Sequence, residues 1–472
     1  MQLESATPKT VLTLSIVAAG VVTLVVVLAV AGIWQTAPAS PESETADRLA
    51  GQRWYAVTFR HTPIGHYQTH SGRTEDGDFV FQTVLRFRLE AGGETRIEDR
   101  LVFDEWPPHR LLRAEHIAST GGSDPTRVTI MEGEAEVVDA NNTRKVAVEA
   151  DLELRDYLAI ENWLAIAAPM LGDMQTARSI DFDALTIVTD QWRVVSTVGG
   201  AVEVVKESAP NAARIRIGSD LTPERMISGG LITMHRADEH TARVWERNIP
   251  LFTSPTPGHT VRVEGVIENP KALRRLTVEV DHEFDTSVQW PNSRGTDTLV
   301  AEADARRIAH ADEIAVATQP TVNFPAADPE IRKLAQRAVA GLADSAAKAD
   351  SLALFVHNHL SYRYTAGGRT VLDTVRDRSG DCTEFADLYT TLARAVGLPS
   401  RTVVGLAYQA SAEAFALHAW NEVAIDGHWR GVDPTWGQTR LAATYFALPV
   451  DNALAVIADL PHVRFRVVET QY

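Results

Sequence analysis

The chain has 472 residues, of which 45% are hydrophobic, 23% charged and 7% aromatic. This balance is typical of globular proteins and excludes a disordered or collagen-like chain. A chain of this length usually folds around more than one hydrophobic core, so we expect two or three folded units. The 45 Lys and Arg residues stand against 62 Asp and Glu, a net charge of -17, which argues against a nucleic-acid partner because phosphate binding needs clustered cations.

An apolar run near the N-terminus suggests a membrane anchor. Residues 11–34 carry no charge and are mostly Val, Leu, Ala and Ile, which is long enough to cross a hydrocarbon core of about 30 Å. We therefore expect a transmembrane helix over residues 10–34 and a cytoplasmic N-terminus over 1–9. Because acidic residues follow the run, the bulk of the chain is expected on the outer, periplasmic side. Whether this helix is cleaved stays open.

The next part of the chain reads as antiparallel sheet. Residues 79–89, for example, alternate apolar and polar side chains with a period of two, which predicts a strand. We expect a β-rich domain over 50–250, interrupted by one helix around 156–170. After a Pro-rich break, a small β subdomain or connector is expected over 258–305.

Three histidines in the β-rich part, His61, His66 and His70, are close enough in sequence to suggest a transition-metal site. Residues 62–65 read as a turn, and no carboxylate or cysteine accompanies the histidines at a fixed spacing. A structural role is therefore the better interpretation, and we predict neither a metal site nor a cofactor. An acidic loop of the EF-hand type is not seen either, so the sequence gives no positive evidence for calcium.

The only cysteine, Cys382, lies at the start of a predicted helix. The segment 379–381, Ser-Gly-Asp, supplies a turn and a cap, and an apolar stripe follows as far as Gly397. A helix N-terminus favours a thiolate and offers free main-chain donors to an oxyanion. A lone cysteine can equally be a small buried hydrophobe, so its position by itself leaves both interpretations open.

A hairpin downstream supplies a base and a carboxylate. Asp426-Gly427 is a strong two-residue turn signal between two apolar segments. Counting outward from the turn, Ile425 faces His428, and this register makes His418 and Asp433 diagonal neighbours on one face. At that distance a carboxylate can accept the imidazole N–H. Cys382, His418 and Asp433 then form a nucleophile, a base and an orienting carboxylate.

These segments resemble the transglutaminase-like superfamily of cysteine enzymes, whose core is papain-like. The matching motifs occur in the family's order: Arg-Ser-Gly-Asp-Cys-Thr-Glu at 378–384, Ala-Arg-Ala-Val-Gly-Leu-Pro-Ser-Arg at 393–401, His-Ala-Trp-Asn-Glu-Val at 418–423, Trp429, and Asp-Pro-Thr at 433–435. The resemblance implies that Cys382 is the nucleophile, His418 the histidine and Asp433 the aspartate. Such enzymes often have a further oxyanion-stabilising side chain, for which Tyr362 and Tyr364 are candidates by position.

The expected protein is thus a membrane-anchored, bacterial-type member of this superfamily with an α+β fold. Its parts are the transmembrane helix, the mainly antiparallel β-rich region, a catalytic domain over 325–450 and a C-terminal extension over 451–472. The expected reaction is thiol acyl transfer on a carboxamide or peptide bond of a protein or peptide substrate, with hydrolysis and aminolysis both open. The alternative is a catalytically inactive scaffold whose β-rich region binds a partner.

Overall fold

The computed structural model describes residues 39–472 apart from 60–61, 89–92, 122–123, 140–141, 209–212, 229–231, 248–259, 283–297, 364–368, 449–456, 458–459 and 461–462. The predicted membrane run at 11–34, the Pro-rich break, His61 and Tyr364 all lie outside the described residues.

The α-helices of the described residues are α1 (Pro41–Arg48), α2 (Leu154–Tyr157), α3 (Ala159–Ile166), α4 (Glu239–Ala242), α5 (Ala311–Thr318), α6 (Pro329–Ala338), α7 (Ser345–His359), α8 (Val371–Asp377) and α9 (Cys382–Ala395), and two short 3-10 helices cover Val244–Arg247 and Pro270–Ala272. The helix predicted around 156–170 is present as the two short helices α2 and α3, which end at Ile166. The predicted cap of α6 is also present, since the Asp328 side chain accepts the main-chain N–H of Glu330 at 2.8 Å.

The first sheet occupies the predicted β-rich region and has 14 strands in the order β8-β7-β6-β5-β4-β3-β2-β1-β14-β13-β12-β11-β10-β9. Its strands are β1 (Gly51–Phe59), β2 (Thr62–Arg73), β3 (Phe79–Arg88), β4 (Glu94–Phe103), β5 (Leu111–Thr120), β6 (Thr126–Met131), β7 (Glu134–Asp139), β8 (Asn142–Ala147), β9 (Met174–Asp181), β10 (Thr186–Ser196), β11 (Val202–Lys206), β12 (Ala213–Ile217), β13 (Pro223–Ser228) and β14 (Ile232–Ala237). Its core is a cluster of buried apolar side chains that includes Phe79 and Phe103 from the strands and Leu154 from α2.

The second sheet has nine strands, seven of them in the order β17-β16-β25-β15-β22-β21-β24, with β23 on β22 and β18 on β23. Its strands are β15 (Thr260–Glu264), β16 (Arg275–His282), β17 (Thr298–Glu302), β18 (Arg307–Ile308), β21 (Ser400–Gln409), β22 (Ala414–Ile425), β23 (His428–Val432), β24 (Tyr445–Ala447) and β25 (Val463–Gln471). Strand β25 lies between β16 and β15. Residues of the predicted connector and of the predicted C-terminal extension therefore share one sheet with the predicted hairpin.

Helix α9 is the centre of the packing around the predicted catalytic residues. It contacts α6, α7 and α8 as well as β21 and β22, and Phe385, Leu388 and Leu392 on its apolar stripe are buried. Burying each such side chain stabilises the fold by about 1.5–3 kcal/mol. A short parallel pair, β19 (Ser361–Tyr362) with β20 (Ser379–Gly380), leads into the start of α9.

Two expectations from the sequence are corrected by this architecture. The predicted fold class, an α+β protein with an N-terminal transmembrane helix, is wrong. Strands account for 47% and helices for 23% of the structure, and the strands form large antiparallel sheets. Within the part of the chain that the structure describes, none of the helices is long and apolar enough to cross a membrane. This contradicts the predicted single-pass membrane protein with its bulk on the periplasmic side; the run at 11–34 on which that prediction rested lies outside the described residues.

Candidate active site

Cys382 is the first residue of α9, and the preceding residues fix where this helix begins. Asp381 is the N-cap: its carboxylate accepts the N–H of Thr383 at 2.9 Å, while the Glu384 carboxyl accepts the N–H of Asp381 at 2.7 Å. This reciprocal capping box satisfies two main-chain donors. Burial, followed by the charge of Asp381, raises the pKa of Glu384 to about 7. Gly380 is needed before the cap, since a Cβ there would lie 2.4 Å from Cβ of Glu384.

The hairpin has the register expected from its turn. Ile425 pairs with His428, and the ladder continues in step as far as the pair of Asn421 and Val432. The ladder ends at Val432, and Asp433 is not part of it. The Asp433 main chain instead exchanges hydrogen bonds with Gln438, each 2.8 Å long.

His418 lies on β22, and its imidazole is near both of the other predicted catalytic residues. Its Nε2 is 2.9 Å from Oδ2 of Asp433, and the Cys382 side chain is close enough to the ring to raise the pKa of the imidazole. Because Asp433 occupies Nε2, Nδ1 is the ring nitrogen left for the thiol. The structure therefore brings together the three residues singled out in the sequence.

The surroundings of His418 favour its protonated form. Burial by itself lowers the pKa of the imidazole, but the hydrogen bonds and charges of Asp433 and Cys382 outweigh it and raise the pKa to about 9. Asp433 is fully buried and His418 is only 5% exposed, so bulk water screens their interaction weakly. An imidazolium in this position can donate a proton to a departing amine.

Asp433 accepts four hydrogen bonds, which engage both of its oxygens. Oδ1 accepts the main-chain N–H groups of Thr435 at 2.8 Å and Trp436 at 3.2 Å. Oδ2 accepts the hydroxyl of Tyr445 at 2.8 Å together with the imidazole of His418. A carboxylate has about four lone-pair sites, so its capacity to accept hydrogen bonds is used in full.

Helix α7 packs against the loop 433–438 that carries Asp433 and holds it in place. His357 Nδ1 lies 3.1 Å from the carbonyl oxygen of Thr435, and its ring packs on Gly437, where a Cβ would come within 3.0 Å. Gly437 has φ of +64°, the left-handed region that glycine adopts without strain. The loop is therefore held at both its main chain and its sharpest bend.

Asn421 ties the strand of His418 to the helix of Cys382. Its side-chain NH2 donates to the carbonyl oxygen of Ala386 and to the hydroxyl of Thr390, both at 2.8 Å. Both acceptors lie on α9, so these bonds fix how β22 sits against the helix. Asn421 is fully buried, and hydrogen bonds in such surroundings are electrostatically strong.

A comparison with known families matches this part of the chain. Residues 332–434 match the model of the transglutaminase-like superfamily, and the match includes Cys382, His418 and Asp433. Residues 332–434 are transglutaminase-like. No curated protein gives a significant match to the chain.

Several solved structures resemble the protein only loosely. A candidate cysteine protease from Cytophaga hutchinsonii is 16% identical over 45% of this chain and 82% of its own, with a TM-score of 0.27. A β-barrel-like protein from Brucella abortus, assigned to a domain of unknown function, is 10% identical over 39% of this chain and 93% of its own, with a TM-score of 0.28. A TGase is 16% identical over 48% of this chain and 67% of its own, with a TM-score of 0.20. Likenesses this distant carry no argument about function.

Two aromatic residues that contact His418 or Asp433 were not found from the sequence. The indole of Trp436 stacks on the imidazole of His418, and Tyr445 bonds Asp433 from strand β24. Trp436 could have been suspected because it follows the Asp-Pro-Thr motif directly. Tyr445 gave no signal, since its approach depends on the strand order β22-β21-β24.

The structure also describes three other residues considered in the sequence analysis, Tyr362, His66 and His70. Tyr362 lies on β19 and pairs with Gly380, two residues before Cys382, so it is near the start of α9; its role as an oxyanion donor stays a prediction. His66 is 3% exposed, and its Nδ1 accepts the indole N–H of Trp245 at 3.0 Å. This is the structural role favoured for it. His70 is exposed on the same strand.

Proposed function

We propose that this protein is a transglutaminase-like cysteine enzyme that transfers an acyl group from a carboxamide or peptide bond through a thioester on Cys382. The observation that carries the proposal is the placement of His418, which is bonded to Asp433 through Nε2 and lies close enough to the Cys382 side chain for it to raise the pKa of the imidazole. A nucleophile, a base and an orienting group in contact are the recurring arrangement of nucleophilic catalysis.

Acylation begins when the Cys382 sulfur attacks the substrate carbonyl carbon, with the proton held on His418. A C–S bond forms and the carbonyl oxygen becomes an oxyanion. The start of α9 favours this charge, because it lies at the positive end of the helix dipole. When the C–N bond breaks, His418 gives its proton to the departing amine, and the acyl group remains as a thioester.

Deacylation uses the same groups in reverse. His418, now neutral, accepts a proton from water or from an amine that attacks the thioester, and the sulfur leaves. Asp433 stabilises the imidazolium each time it forms and holds the ring in the productive tautomer. Both acceptors use one geometry, so hydrolysis and aminolysis are two outcomes of the same proposed site.

The single cysteine makes a direct test possible, because any thiol adduct on the intact protein must be on Cys382. The protein would be incubated near neutral pH with 4-nitrophenyl acetate, an activated acyl donor, and whole-protein mass measured at short times. We expect one acetyl group to appear and then disappear by hydrolysis. Adding hydroxylamine, a small amine nucleophile, should speed its loss and yield acetohydroxamate. The C382A variant should gain no acetyl group in the same interval.

A parallel reaction with iodoacetamide measures thiol reactivity without any acyl donor. Fast labelling of the native protein, slowed in H418Q, would agree with a histidine that activates the thiol. Labelling no faster than that of the urea-unfolded chain, together with no acetyl adduct, would overturn the proposal and favour the inactive scaffold.

A further inference from the structure

Tyr445 and His418 bind the same oxygen of Asp433. The Tyr445 hydroxyl donates to Oδ2 at 2.8 Å, and Nε2 of His418 lies 2.9 Å from that oxygen. The main-chain N–H groups of Thr435 and Trp436 hold only Oδ1. Without Tyr445, Oδ2 would have His418 as its single partner among the hydrogen bonds described for it.

The hydroxyl of Tyr445 is a permanent donor. Its side chain is 7% exposed, and burial, followed by the charge of Asp433, raises the pKa of the phenol far above its ordinary value. The phenol therefore keeps its proton wherever the protein is folded. It can donate to Asp433 in every protonation state of His418.

Tyr445 reaches Asp433 from a different element than the two main-chain donors. It lies on β24, which pairs with β21, and β21 pairs in turn with the β22 strand of His418. Its ring packs against Trp420 with centroids 5.2 Å apart and an interplanar angle of 70°. The hydroxyl therefore connects the loop of Asp433 to the rigid sheet that also carries His418.

We propose that Tyr445 is a positioning residue, whose hydroxyl holds the Asp433 carboxylate so that one fixed oxygen faces the His418 N–H. The inference rests on the proposed function of Cys382, His418 and Asp433. A carboxylate held by all four donors cannot rotate Oδ2 away from the imidazole. Small losses of alignment in such a group lower the rate of the chemical step more than the binding of substrate.

A second role for Tyr445 has to be separated from this one. Its ring also lines a pocket of about 540 Å³ on the sheet, together with Val403, Trp420 and Leu441. A tyrosine that only closes this pocket would act through its ring. The positioning role belongs to the hydroxyl, so replacing tyrosine by phenylalanine distinguishes the two.

The test compares Y445F with wild type in steady-state hydrolysis of 4-nitrophenyl acetate over a range of pH. We expect kcat to fall about 10- to 100-fold with little change in KM. A loss of this size is typical when a group that orients a reacting side chain is removed. The alkaline limb of activity should move to higher pH, because the donor that competes with His418 for Oδ2 is gone. Thermal stability should change little, since the ring is kept.

Y408F is the matched control. Tyr408 lies on β21 and packs on Phe415 with ring centroids 5.3 Å apart, and its hydroxyl should not affect the rate. Wild-type kcat and an unmoved pH profile in Y445F, with an active wild type, would overturn the positioning role and leave the proposed function standing. Equal losses in Y445F and Y408F would overturn it as well. If wild type forms no acetyl adduct, the proposed function fails instead.

Discussion

The indole ring of Trp436 lies almost parallel to the imidazole of His418, with ring centroids 4.2 Å apart and an interplanar angle of 10°. Trp436 is 36% exposed and His418 is 5% exposed, so the indole lies between the imidazole and solvent. The Trp436 main-chain N–H also donates to Asp433. Trp436 thus covers the His418 imidazole with its side chain and holds the Asp433 carboxylate with its backbone.

This stacking predicts that W436A loses activity without losing its fold. Removing the indole leaves the main-chain donor in place but lets water reach the bond between His418 and Asp433, which weakens it. We expect kcat for acyl transfer to fall about tenfold, which is typical when a group that supports a reacting side chain is weakened. W436F, which keeps an aromatic face, should retain most of the rate. Equal rates in W436A and wild type would show that the indole does not protect the base.

Replacing the cysteine separates chemistry from stability. We expect C382A to have no acyl-transfer activity and a thermal midpoint close to that of wild type, because the side chain is small and partly exposed. C382S should show a trace of activity at most, since a hydroxyl is a much weaker nucleophile than a thiolate. Parallel assays and thermal melts check this. A large drop in the melting temperature of C382A would mean that the cysteine is structural.

The carboxylate is tested by D433N. An amide at this position turns an N–H group towards His418 and Tyr445, so Nε2 would have to accept a hydrogen bond and Nδ1 would carry the proton. The ring could then no longer accept the thiol proton, and kcat should fall by about 10⁴, as in other triads that lose this carboxylate. Circular dichroism should show a folded protein.

The matched control for D433N is E422Q. Glu422 is the other carboxylate on this hairpin that could have oriented His418, but its Oε2 accepts from Nε of Arg401 at 2.8 Å. Its loss should leave kcat near wild type. A greater loss in E422Q than in D433N would move the orienting role to Glu422.

The pH dependence follows from His418. Its pKa is about 9, against 6.5 for an ordinary imidazole, so kcat/KM should fall on the alkaline side near pH 9 as the imidazolium is lost. The folded state binds this proton more tightly than the unfolded chain. Protonation of His418 therefore stabilises the folded state by on the order of 3 kcal/mol. This stabilisation is complete below about pH 6.5 and is lost as the pH rises through about 9.

Urea unfolding of wild type and H418Q across this pH range measures the stability effect. Wild type should lose stability towards alkaline pH more steeply than H418Q, which has no imidazole to titrate. Parallel curves for the two proteins would contradict the raised pKa.

A glycine beside the site predicts a packing defect. Gly405 pairs with His418, and a Cβ there would lie 2.3 Å from both the carbonyl oxygen of Phe446 and the ring of Trp420. G405A should therefore destabilise the protein by about 1–3 kcal/mol and lower activity by moving β22. The control is G431A, where the nearest atom is the flexible end of Leu441 at 2.4 Å. A smaller loss of stability is expected there, and the reverse order in thermal melts would contradict this account.

Local signals in the sequence were sufficient for the elements that carry the candidate site. The Asp cap and apolar stripe place Cys382 at the start of a helix, and Asp426-Gly427 fixes the hairpin register, because capping and two-residue turns depend on residues close together in the chain. These two features predicted that His418 and Asp433 would meet. The motif resemblance agrees with the family match at 332–434.

The tertiary structure decided what depends on distant parts of the chain. Asp433 lies beyond the hairpin ladder and is held by its own loop, which packs on His357 of α7, and by Tyr445 on β24. Strand β25 inserts between β16 and β15, far from it in sequence. Strand order and side-chain contacts of this kind are set by the packing of whole sheets and helices. A local sequence pattern carries no information about that packing. For the same reason the periodicity that predicted strands up to residue 250 did not reveal that they form one sheet of 14 strands.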